Sequence, residues 1–261
     1  MNKCKILAIS NAKGGVGKTT SCINIGAALC QLKKKVLIID LDPQSSLSIS
    51  LGIINAENNI CGALREDYEI QPVQILKGFD LIPATIDLAS IEIELSTKPA
   101  REYYLKEIID KVKYNYDYIL IDCPPALGIL TLNAFTASDE ILIPLQSEYL
   151  AMQGLSELLK VSKLITKRLN PSLTIGGIFL TQFDGRKILN RDVLATIEEN
   201  FPNELFNTKI RDNVALADAP SYKTDIFRHS PKSNGAEDYK ELSKEIIKRH
   251  KNENNRLKKA N

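Results

Sequence analysis

The sequence contains no apolar run long enough to cross a lipid bilayer, no cysteine pair in C-x-x-C spacing and little net charge. A transmembrane helix needs about 20 consecutive apolar residues, and the N-terminus passes from Lys3 and Lys5 into a short apolar stretch without a cleavage-type site. A formal net charge of +2 is too small to indicate a nucleic-acid-binding protein by itself. We therefore expect a cytoplasmic protein in which any basic patch is local.

The five cysteines are odd in number and lie mostly inside apolar runs. Their spacing is not that of a zinc or redox site, so we interpret them as reduced core residues. With 261 residues, of which 44% are hydrophobic and 25% charged, the chain can bury a core without disulfides or metals. We expect a single domain over residues 1–250 and a polar, disordered tail over 251–261.

Short apolar runs alternate with amphipathic stretches along the chain. Runs of this kind fit strands that are buried on both faces, as in a parallel sheet, and they occupy residues 5–10, 36–40, 79–84, 118–122, 140–145 and 175–181. Helical spacing of apolar or small residues is found over 18–32 and 150–170. The alternation predicts right-handed βαβ units and an α/β fold with a doubly wound, mostly parallel sheet. Ligands of such sheets bind beyond the carboxyl ends of the strands.

Residues 11–21, NAKGGVGKTTS, follow the first apolar run and open the first helical pattern. Glycines at these places let successive backbone N–H groups point at phosphate oxygens, and the helix N-terminus adds partial positive charge. Lys18 can reach the β- and γ-phosphates, the Thr19 hydroxyl can bind Mg²⁺, and Thr20 can contact the α-phosphate. The predicted loop contacts are Gly14, Gly15, Val16, Gly17, Lys18, Thr19 and Thr20.

The loop departs from the usual G-x-x-x-x-G-K-[ST] pattern, because Ala12 stands where glycine is expected and Lys13 has no role in that pattern. A plain glycine turn between strand and helix would not require the lysine and the hydroxyl as well. We therefore interpret the segment as a variant phosphate-binding loop.

Two further strands end in carboxylates. Asp40 and Asp42 close the run VLIIDLD, two residues apart, so both can face the same side of an extended chain. Carboxylates beside a triphosphate and Mg²⁺ can orient an attacking water or a water bound to the metal. Asp122 ends YILID, the Walker B arrangement, in which the carboxylate holds Mg²⁺ through water. Capping of the next helix by Asp42 or Asp122 is an alternative interpretation of either residue.

Taken together the motifs resemble those of the ParA/Soj family of partition ATPases, within the deviant Walker A group that also includes MinD. The similarity extends over nearly the whole chain, through KGGVGKTT, VLIIDLDPQ, LIPATIDLASIEIEL, YDYILIDCPPALGILTLNAFTASDEILIPLQSEYLAMQGL, NVALADAPS and PKSNGAEDYKEL. It implies a P-loop NTPase fold, ATP and Mg²⁺ as cofactors, and a short member without an N-terminal helix-turn-helix.

The resemblance also implies a role for individual residues. Lys13 would reach across a nucleotide-sandwich homodimer to the partner's nucleotide, somewhat like an arginine finger supplied in trans. Lys18 would bind phosphate and Asp42 would position the hydrolytic water, which makes Lys13, Lys18 and Asp42 the expected catalytic residues. The expected metal residues are Thr19, Asp40 and Asp122.

In this family ATP-bound dimers coat DNA without sequence preference, and a ParB/Spo0J-type centromere-binding protein stimulates hydrolysis and releases them. The expected location is therefore cytoplasmic and nucleoid-associated. Arg186 stands at the place of a family arginine used for DNA, and with Lys187 and Arg191 it forms the predicted phosphate-contacting patch.

One segment differs from the family pattern. Where many relatives read I-P-R-N-V-R, residues 210–215 read IRDNVA. The two arginines are thereby Asp212 and Ala215, and a negative charge on a DNA face weakens binding. The proline and asparagine of this segment usually lie against the adenine, so Arg211 and Asn213 are the expected contacts with the base.

Three alternatives stay open on the sequence alone. A MinD-like positioning ATPase at the membrane would need an apolar stripe on a basic C-terminal helix; Tyr239, Leu242 and Ile246 form such a stripe, but we expect them to pack on the core, so no stable membrane anchor is predicted. A nitrogenase-reductase type would need paired cysteines at a cluster, and Cys123 has no evident second cysteine. A module that binds nucleotide without hydrolysing it would carry the same loop.

Overall fold

The computed structural model describes residues 4–148 and 151–260, without the side chains of 254 and 256–260. Seven strands form one sheet, in the order β3-β4-β2-β5-β1-β6-β7. All neighbours are parallel except β3 and β4, which are antiparallel. The strands are β1 (Lys5–Ile9), β2 (Val36–Asp40), β3 (Val73–Leu76), β4 (Phe79–Ile82), β5 (Tyr118–Asp122), β6 (Glu140–Gln146) and β7 (Thr174–Thr181).

Helices connect the strands, and four of them follow β7. They are α1 (Lys18–Gln31), α2 (Ser46–Ser50), α3 (Ile60–Arg65), α4 (Leu88–Ser96), α5 (Tyr104–Val112), α6 (Ile129–Ala137), α7 (Ala151–Arg168), α8 (Ile188–Asn200), α9 (Val214–Asp218), α10 (Ile226–His229) and α11 (Asn234–Ala260). Two short 3-10 helices lie at Lys113–Asn115 and Ala219–Tyr222. The predicted doubly wound, mostly parallel α/β fold is confirmed.

Six of the strands coincide with the six apolar runs of the sequence. The exception is β3, which is half exposed and carries no continuous apolar run. It forms a hairpin with β4 through a turn in which Gly78 has a φ of 83°. Apolar runs reveal strands that are buried on both faces, so an edge strand such as β3 escapes them.

The sheet separates two hydrophobic cores. Alternate residues of each strand point to opposite faces, so that Ile6 and Ala8 join one core while Leu7 and Ile9 join the other. The first core contains residues of α3 to α8, and the second those of α1, α2, α10 and α11. Close packing of α1 on the sheet depends on Gly26, since a Cβ there would lie 2.8 Å from Phe79 Cε2 and 3.0 Å from Ile38 Cγ2.

The C-terminal helix α11 corrects one expectation. The sequence predicted a disordered tail over 251–261, whereas residues 251–260 continue α11 as helix. The tail contains neither glycine nor proline before 261, and Lys, Glu, Arg and Ala favour helix, so nothing in the sequence ends α11 earlier. Lys5 Nζ also holds Glu253 on this last part at 2.8 Å.

The stripe formed by Tyr239, Leu242 and Ile246 is buried in the second core, as expected. Tyr239 Oη lies 3.0 Å from Ser21 Oγ of α1. Further along α11, His250 Nε2 lies 3.0 Å from Glu140 Oε2 and its Nδ1 lies 3.2 Å from Tyr118 Oη. The helix is therefore attached to α1 near its beginning and to the sheet near its end. No described helix is long and apolar enough to cross a membrane.

Strand order brings the three motifs together. The register pairs Ile9 of β1 with Asp122 of β5, and Asp122 with Asp40 of β2. The phosphate-type loop, Asp40 with Asp42, and Asp122 consequently lie side by side at the carboxyl edge of three adjacent strands. This edge is where ligands of open α/β sheets bind.

Candidate nucleotide-binding site

The loop between β1 and α1 has the backbone of an anion-binding cradle. Gly15 and Gly17 have φ values of 77° and 83°, in the left-handed region that side chains disfavour. The end of β7 holds the outside of this loop, because Thr181 Oγ1 donates to Val16 O at 2.9 Å and Gln182 Nε2 donates to Gly15 O at 3.0 Å. Because these two carbonyls point outward to β7, the N–H groups of the loop can face the carboxyl edge of the sheet.

Lys18 is the buried cation of the site, with 7% of its surface exposed. Its Nζ donates to Lys13 O at 3.0 Å, which bends the side chain back over the loop. Burial lowers the pKa of Lys18, and the carboxylates of Asp122 and Asp42 oppose that change. A phosphate group would supply the counter-charge that this buried ammonium needs.

Thr19 and Asp122 meet across the loop. The Thr19 hydroxyl donates to Asp122 Oδ2 at 2.7 Å, and the other oxygen, Oδ1, is buried and has no hydrogen-bond partner among the described residues. Burial, and after it the neighbouring Asp40, raise the pKa of Asp122 well above its usual value. A hydroxyl beside an unpaired buried carboxylate oxygen is a donor set that suits Mg²⁺. No cluster of three or more metal-binding side chains occurs in the described part of the chain, so phosphate and water would complete such a shell.

Asp40 is fully buried and engaged by the protein. Its Oδ2 accepts from Ser48 N at 2.9 Å and from Ser48 Oγ at 2.7 Å, and its Oδ1 accepts from Asp42 N at 3.2 Å. Burial raises the pKa of Asp40 to about 6, against these hydrogen bonds. Both oxygens fix the loop after β2, and this geometry favours a positioning role over direct metal binding.

Asp42 lies at the mouth of the site and is half-buried. Its Oδ1 accepts from Gln44 N at 3.0 Å, and its carbonyl accepts from Ser45 N at 2.8 Å, which folds residues 42–45 into a turn. The carboxylate thereby stays at the edge of the sheet, on the side of Lys18 and Asp122. A carboxylate so placed can accept a hydrogen bond from a water molecule.

Lys13 belongs to the loop but does not point into the site of its own chain. Its ammonium group forms an ion pair with Glu148, which follows β6, and its backbone N donates to Asn11 Oδ1 at 3.0 Å. The side chain keeps 33% of its surface exposed. Lys13 is thus held at the rim, where a second molecule could meet it.

A cavity of about 260 Å³ adjoins Gly17 and Thr20. Arg211 and Asn213, the predicted contacts with a base, line it, but both side chains are already engaged. The Arg211 guanidinium binds Asp238 Oδ1 at 2.6 Å and Glu237 Oε2 at 2.8 Å, and Asn213 Oδ1 caps α9 by accepting from Ala215 N at 2.9 Å. The main chain, the aliphatic part of Arg211 and the amide nitrogen of Asn213 therefore remain for a base to contact.

The predicted DNA patch lies just beyond β7. Arg186 is 92% exposed but forms a two-pronged ion pair with Asp184, Nε to Oδ1 at 2.9 Å and Nη2 to Oδ2 at 2.8 Å. Arg186 lowers the pKa of Asp184 to about 2. Arg191 Nη1 donates to Gly185 O at 3.0 Å and Arg186 O at 3.2 Å, while Lys187 precedes α8. The patch is ordered by its own contacts, and Asp184 offsets part of its charge.

Several residues that shape the site were missed from the sequence. Glu148 pairs with Lys13, Ser48 binds Asp40, Asp238 binds Arg211, and Gln182 supports the loop. Each is separated from its partner along the chain or carries a common polar side chain in no motif, so spacing gave no signal. Gln182 has a φ of 50°, a strained value that only the structure shows.

The fold and the residues at the carboxyl edge of the sheet define the class of protein. A variant phosphate-binding loop between β1 and α1, a Walker B carboxylate on the adjacent strand and a hydroxyl beside it are the parts of a P-loop nucleotide-binding protein with a deviant Walker A motif.

Comparison with known proteins narrows the assignment from this class to a family. A family model described as AAA domain matches residues 4–175. The sporulation initiation inhibitor protein Soj of Bacillus subtilis is 46% identical over 249 residues, which cover 93% of this chain and 98% of Soj. The chromosome-partitioning ATPase Soj of Treponema pallidum is 43% identical over 94% of this chain and 98% of its own. A Mycobacterium smegmatis structure described as cobyrinic acid a,c-diamide synthase with bound ATP analogue and magnesium has a TM-score of 0.84 and 34% identity, covering 95% of this chain and 96% of that one.

The chain belongs to the ParA/Soj family of ATPases, as the resemblance of its motifs predicted.

Proposed function

We propose that this protein is a Mg²⁺-dependent ATPase that dimerises around ATP, binds DNA without sequence preference and moves a chromosome or plasmid. A ParB-type partner would stimulate hydrolysis and release the dimer from DNA. The observation that carries the proposal is the meeting of Lys18, Thr19, Asp42 and Asp122 at one sheet edge, with Lys13 at its rim. The names of the relatives, partition proteins among them, support the same conclusion.

Each residue has a task in hydrolysis. Loop N–H groups and Lys18 bind the phosphates and offset their charge. Thr19 and Asp122 would hold Mg²⁺, which when bound withdraws charge from the γ-phosphate. Asp42 would accept a hydrogen bond from the attacking water and align it with the phosphorus. Lys13 of a second copy would add positive charge where the leaving group develops its negative charge.

The nucleotide role of Lys18 is tested by Lys18→Ala. Loss of the one buried ammonium in the loop should weaken ATP binding by at least tenfold, because phosphate is left without its main counter-charge. Fluorescence of a labelled ATP analogue measures this. Lys34→Ala is the control, since Lys34 is partly exposed and follows the end of α1 opposite to the loop, and this variant should bind as the parent does.

Catalysis and dimerisation separate in two further variants. Asp42→Ala should bind ATP and form dimers but release phosphate at least tenfold more slowly, since the attacking water loses its hydrogen-bond acceptor.

Lys13→Ala should bind ATP and stay monomeric. Light scattering with ATP and a phosphate-release assay read both properties. A Lys13→Ala protein that dimerises and hydrolyses normally would remove the trans role of this lysine.

The cellular role is tested by the hydrolysis rate with DNA and with the product of the neighbouring gene. Stimulation of hydrolysis that needs both DNA and the partner supports a role in partition, whereas stimulation by lipid vesicles would support a MinD-like positioning ATPase.

Arg186→Glu should keep basal hydrolysis and lose DNA binding. Undiminished DNA binding by this variant would exclude Arg186 as a contact.

A further inference from the structure

The second half of α7 carries its cations along one face of the helix. Lys160, Lys163 and Lys167 follow one another at i, i+3 and i+7, and Leu164 and Arg168 lie among them at i+4 and i+8. All five side chains are exposed, whereas the buried stripe of α7 packs into the first core. We call these five residues the α7 basic face. Leu164, which is 58% exposed, is thus an apolar side chain among four cations.

The four cations of this face are not neutralised by the protein itself. None of them forms an ion pair or a side-chain hydrogen bond with another described residue. Cations near a helix C-terminus interact favourably with the helix dipole, but this effect is confined to the last turn. It accounts for Lys167 and Arg168 but not for Lys160 and Lys163, which lie more than one turn before the end of α7. The surplus positive charge is therefore available to a partner.

A cavity of about 290 Å³ lies between the α7 basic face and the first residues of β7. Leu159, Leu173 and Ile175 give it an apolar floor, and Lys163 and Lys167 stand at its rim. Its volume is close to the lower limit of roughly 300 Å³ for ligand sites. The cavity has room for side chains of a partner rather than for a cofactor.

The hydroxyl groups beside this cavity are already used within the protein. Ser162 Oγ donates to Leu159 O at 3.0 Å, and Thr166 Oγ1 donates to Leu173 O at 3.3 Å. The cavity consequently offers an occupant mainly apolar contact and the two ammonium groups at the rim. An occupant that is both apolar and anionic satisfies this combination.

Three kinds of anionic partner differ in how well they meet this demand. DNA phosphates would pair with the ammonium groups but bring no apolar group to the floor of the cavity. Membrane binding needs several bulky apolar side chains on one helix face, and Leu164 is the one large apolar side chain that α7, described over its whole length, exposes. A protein segment whose apolar side chains are flanked by aspartate or glutamate meets both demands.

The α7 basic face lies away from the nucleotide edge. Because α7 connects the parallel strands β6 and β7, it begins at the carboxyl edge of the sheet and runs back to the amino edge. Lys160 lies about 14 Å along the helix from Ala151, its first residue. Docking on this face therefore leaves the nucleotide site open.

We propose that the α7 basic face, with its cavity, docks an acidic amphipathic segment of a partner protein. Lys163 and Lys167 pair with carboxylates of the segment, and an apolar side chain of the segment enters the cavity between them. Leu164 packs against a second apolar side chain. This proposal does not rest on the proposed ATPase function, and its test is valid for a chain that hydrolyses no ATP.

Binding is tested with a fluorescein-labelled peptide of about 14 residues, about 21 Å long as a helix, with leucine on one face and glutamate on the other. Two matched peptides carry lysine in place of glutamate or serine in place of leucine. Fluorescence anisotropy should show binding of the leucine/glutamate peptide, with both matched peptides at least about tenfold weaker. Equal binding by either matched peptide would overturn the proposal, because the charge contact or the apolar contact would then be absent.

The location is tested by the double variant Lys163→Glu with Lys167→Glu. It should bind the leucine/glutamate peptide about tenfold more weakly and the leucine/lysine peptide more tightly than the parent does, because the charge of the rim is reversed. The matched control is Lys35→Glu with Lys77→Glu, which makes the same change of charge at exposed lysines that precede β2 and β4, away from β7. The control should bind as the parent does. An equal loss in the control would mean non-specific attraction and overturn the proposal.

The remaining outcomes separate this face from other anion-binding surfaces. Arg186→Glu should bind the leucine/glutamate peptide as the parent does, and a loss as large as that of the double variant would place the peptide on the DNA patch instead. Duplex DNA or phosphatidylserine vesicles that bind the parent but not the double variant, while the peptide binds both proteins equally, would assign the face to DNA or to a membrane. Either result overturns the proposal. If the double variant does not fold, Lys167→Glu alone, with an expected loss of about threefold, decides the location.

Discussion

Lys13 and Glu148 form an ion pair within one chain, although Lys13 is proposed to serve the nucleotide of another. The pair would therefore compete with the proposed dimerisation. Both side chains are partly exposed, 33% and 46%, and exposed ion pairs contribute about 0–1 kcal/mol. Glu148→Gln should accordingly tighten the ATP-dependent dimer about two- to fivefold, as measured by sedimentation velocity.

The matched control for this prediction is Glu157→Gln, an exposed glutamate of α7 without an ion pair to the loop. It should leave the dimer unchanged. If Glu148→Gln weakens the dimer or has no effect while Lys13→Ala abolishes it, Glu148 does not restrain the lysine.

The burial of Asp122 suits its proposed role in holding Mg²⁺ but opposes stability. A buried carboxylate with an unpaired oxygen is costly without its ligand. Asp122→Asn should therefore raise the free energy of unfolding by about 1–2 kcal/mol at neutral pH in EDTA, as measured by urea denaturation, while hydrolysis is lost.

Asp42→Asn is the comparison for Asp122, because it lies at the same sheet edge but is only half-buried. It should lose hydrolysis with little gain in stability. A destabilised Asp122→Asn protein would show that the Thr19 hydrogen bond outweighs the burial of the charge.

Among elements, α1 depends on one close approach to the sheet. A Cβ at Gly26 would lie within 3.0 Å of Phe79 and at 3.0 Å from Ile38, and forced packing of this kind costs about 1–3 kcal/mol. Gly26→Ala should lower the free energy of unfolding by that amount, as measured by urea denaturation.

Gly154→Ala in α7 is the control, since its Cβ would meet only Asn11 Oδ1, at an ordinary 3.4 Å. The gain in helix propensity, up to about 1 kcal/mol, should then be visible.

The elements also show what a single sequence can reveal. Buried strands such as β2 and β5 are evident as apolar runs, and the helical spacing of small and apolar residues over 18–32 placed α1 to within a residue. The half-exposed β3 and the helical end of α11 were not evident, because neither depends on an apolar pattern. The motif residues Lys18, Thr19 and Asp122 were predictable because their spacing is local. The pair of Lys13 with Glu148 depends on β1 and β6 becoming neighbours, and the pair of Arg211 with Asp238 depends on where α11 packs.

Attachment of α11 to the sheet makes the stability of the whole molecule depend on pH. Burial alone would raise the pKa of Glu140, but His250 and Lys5 outweigh it and lower that pKa to about 2. A depressed folded-state pKa contributes stability above the unfolded value, near 4.5, and that contribution is lost as pH falls through about 2. The shift corresponds to at most about 3 kcal/mol. Unfolding free energies from pH 6 to pH 2 should fall more steeply for the parent than for Glu140→Gln.

Glu94→Gln is the control, because Glu94 pairs with Arg65 at the surface and is 42% exposed. Its pH profile should follow that of the parent. Parallel profiles for the parent and Glu140→Gln would mean that the contact between α11 and β6 does not carry the acid sensitivity.

The end of β7 supports the phosphate loop through Thr181 and Gln182, and the chain then runs from Gln182 to Arg186 in four residues. Four residues span at most about 14 Å. The backbone that supports the phosphate loop therefore also positions the basic patch. If a bound triphosphate displaced the loop, residues 182–186 would move with it, and the orientation of Arg186 would change with nucleotide occupancy.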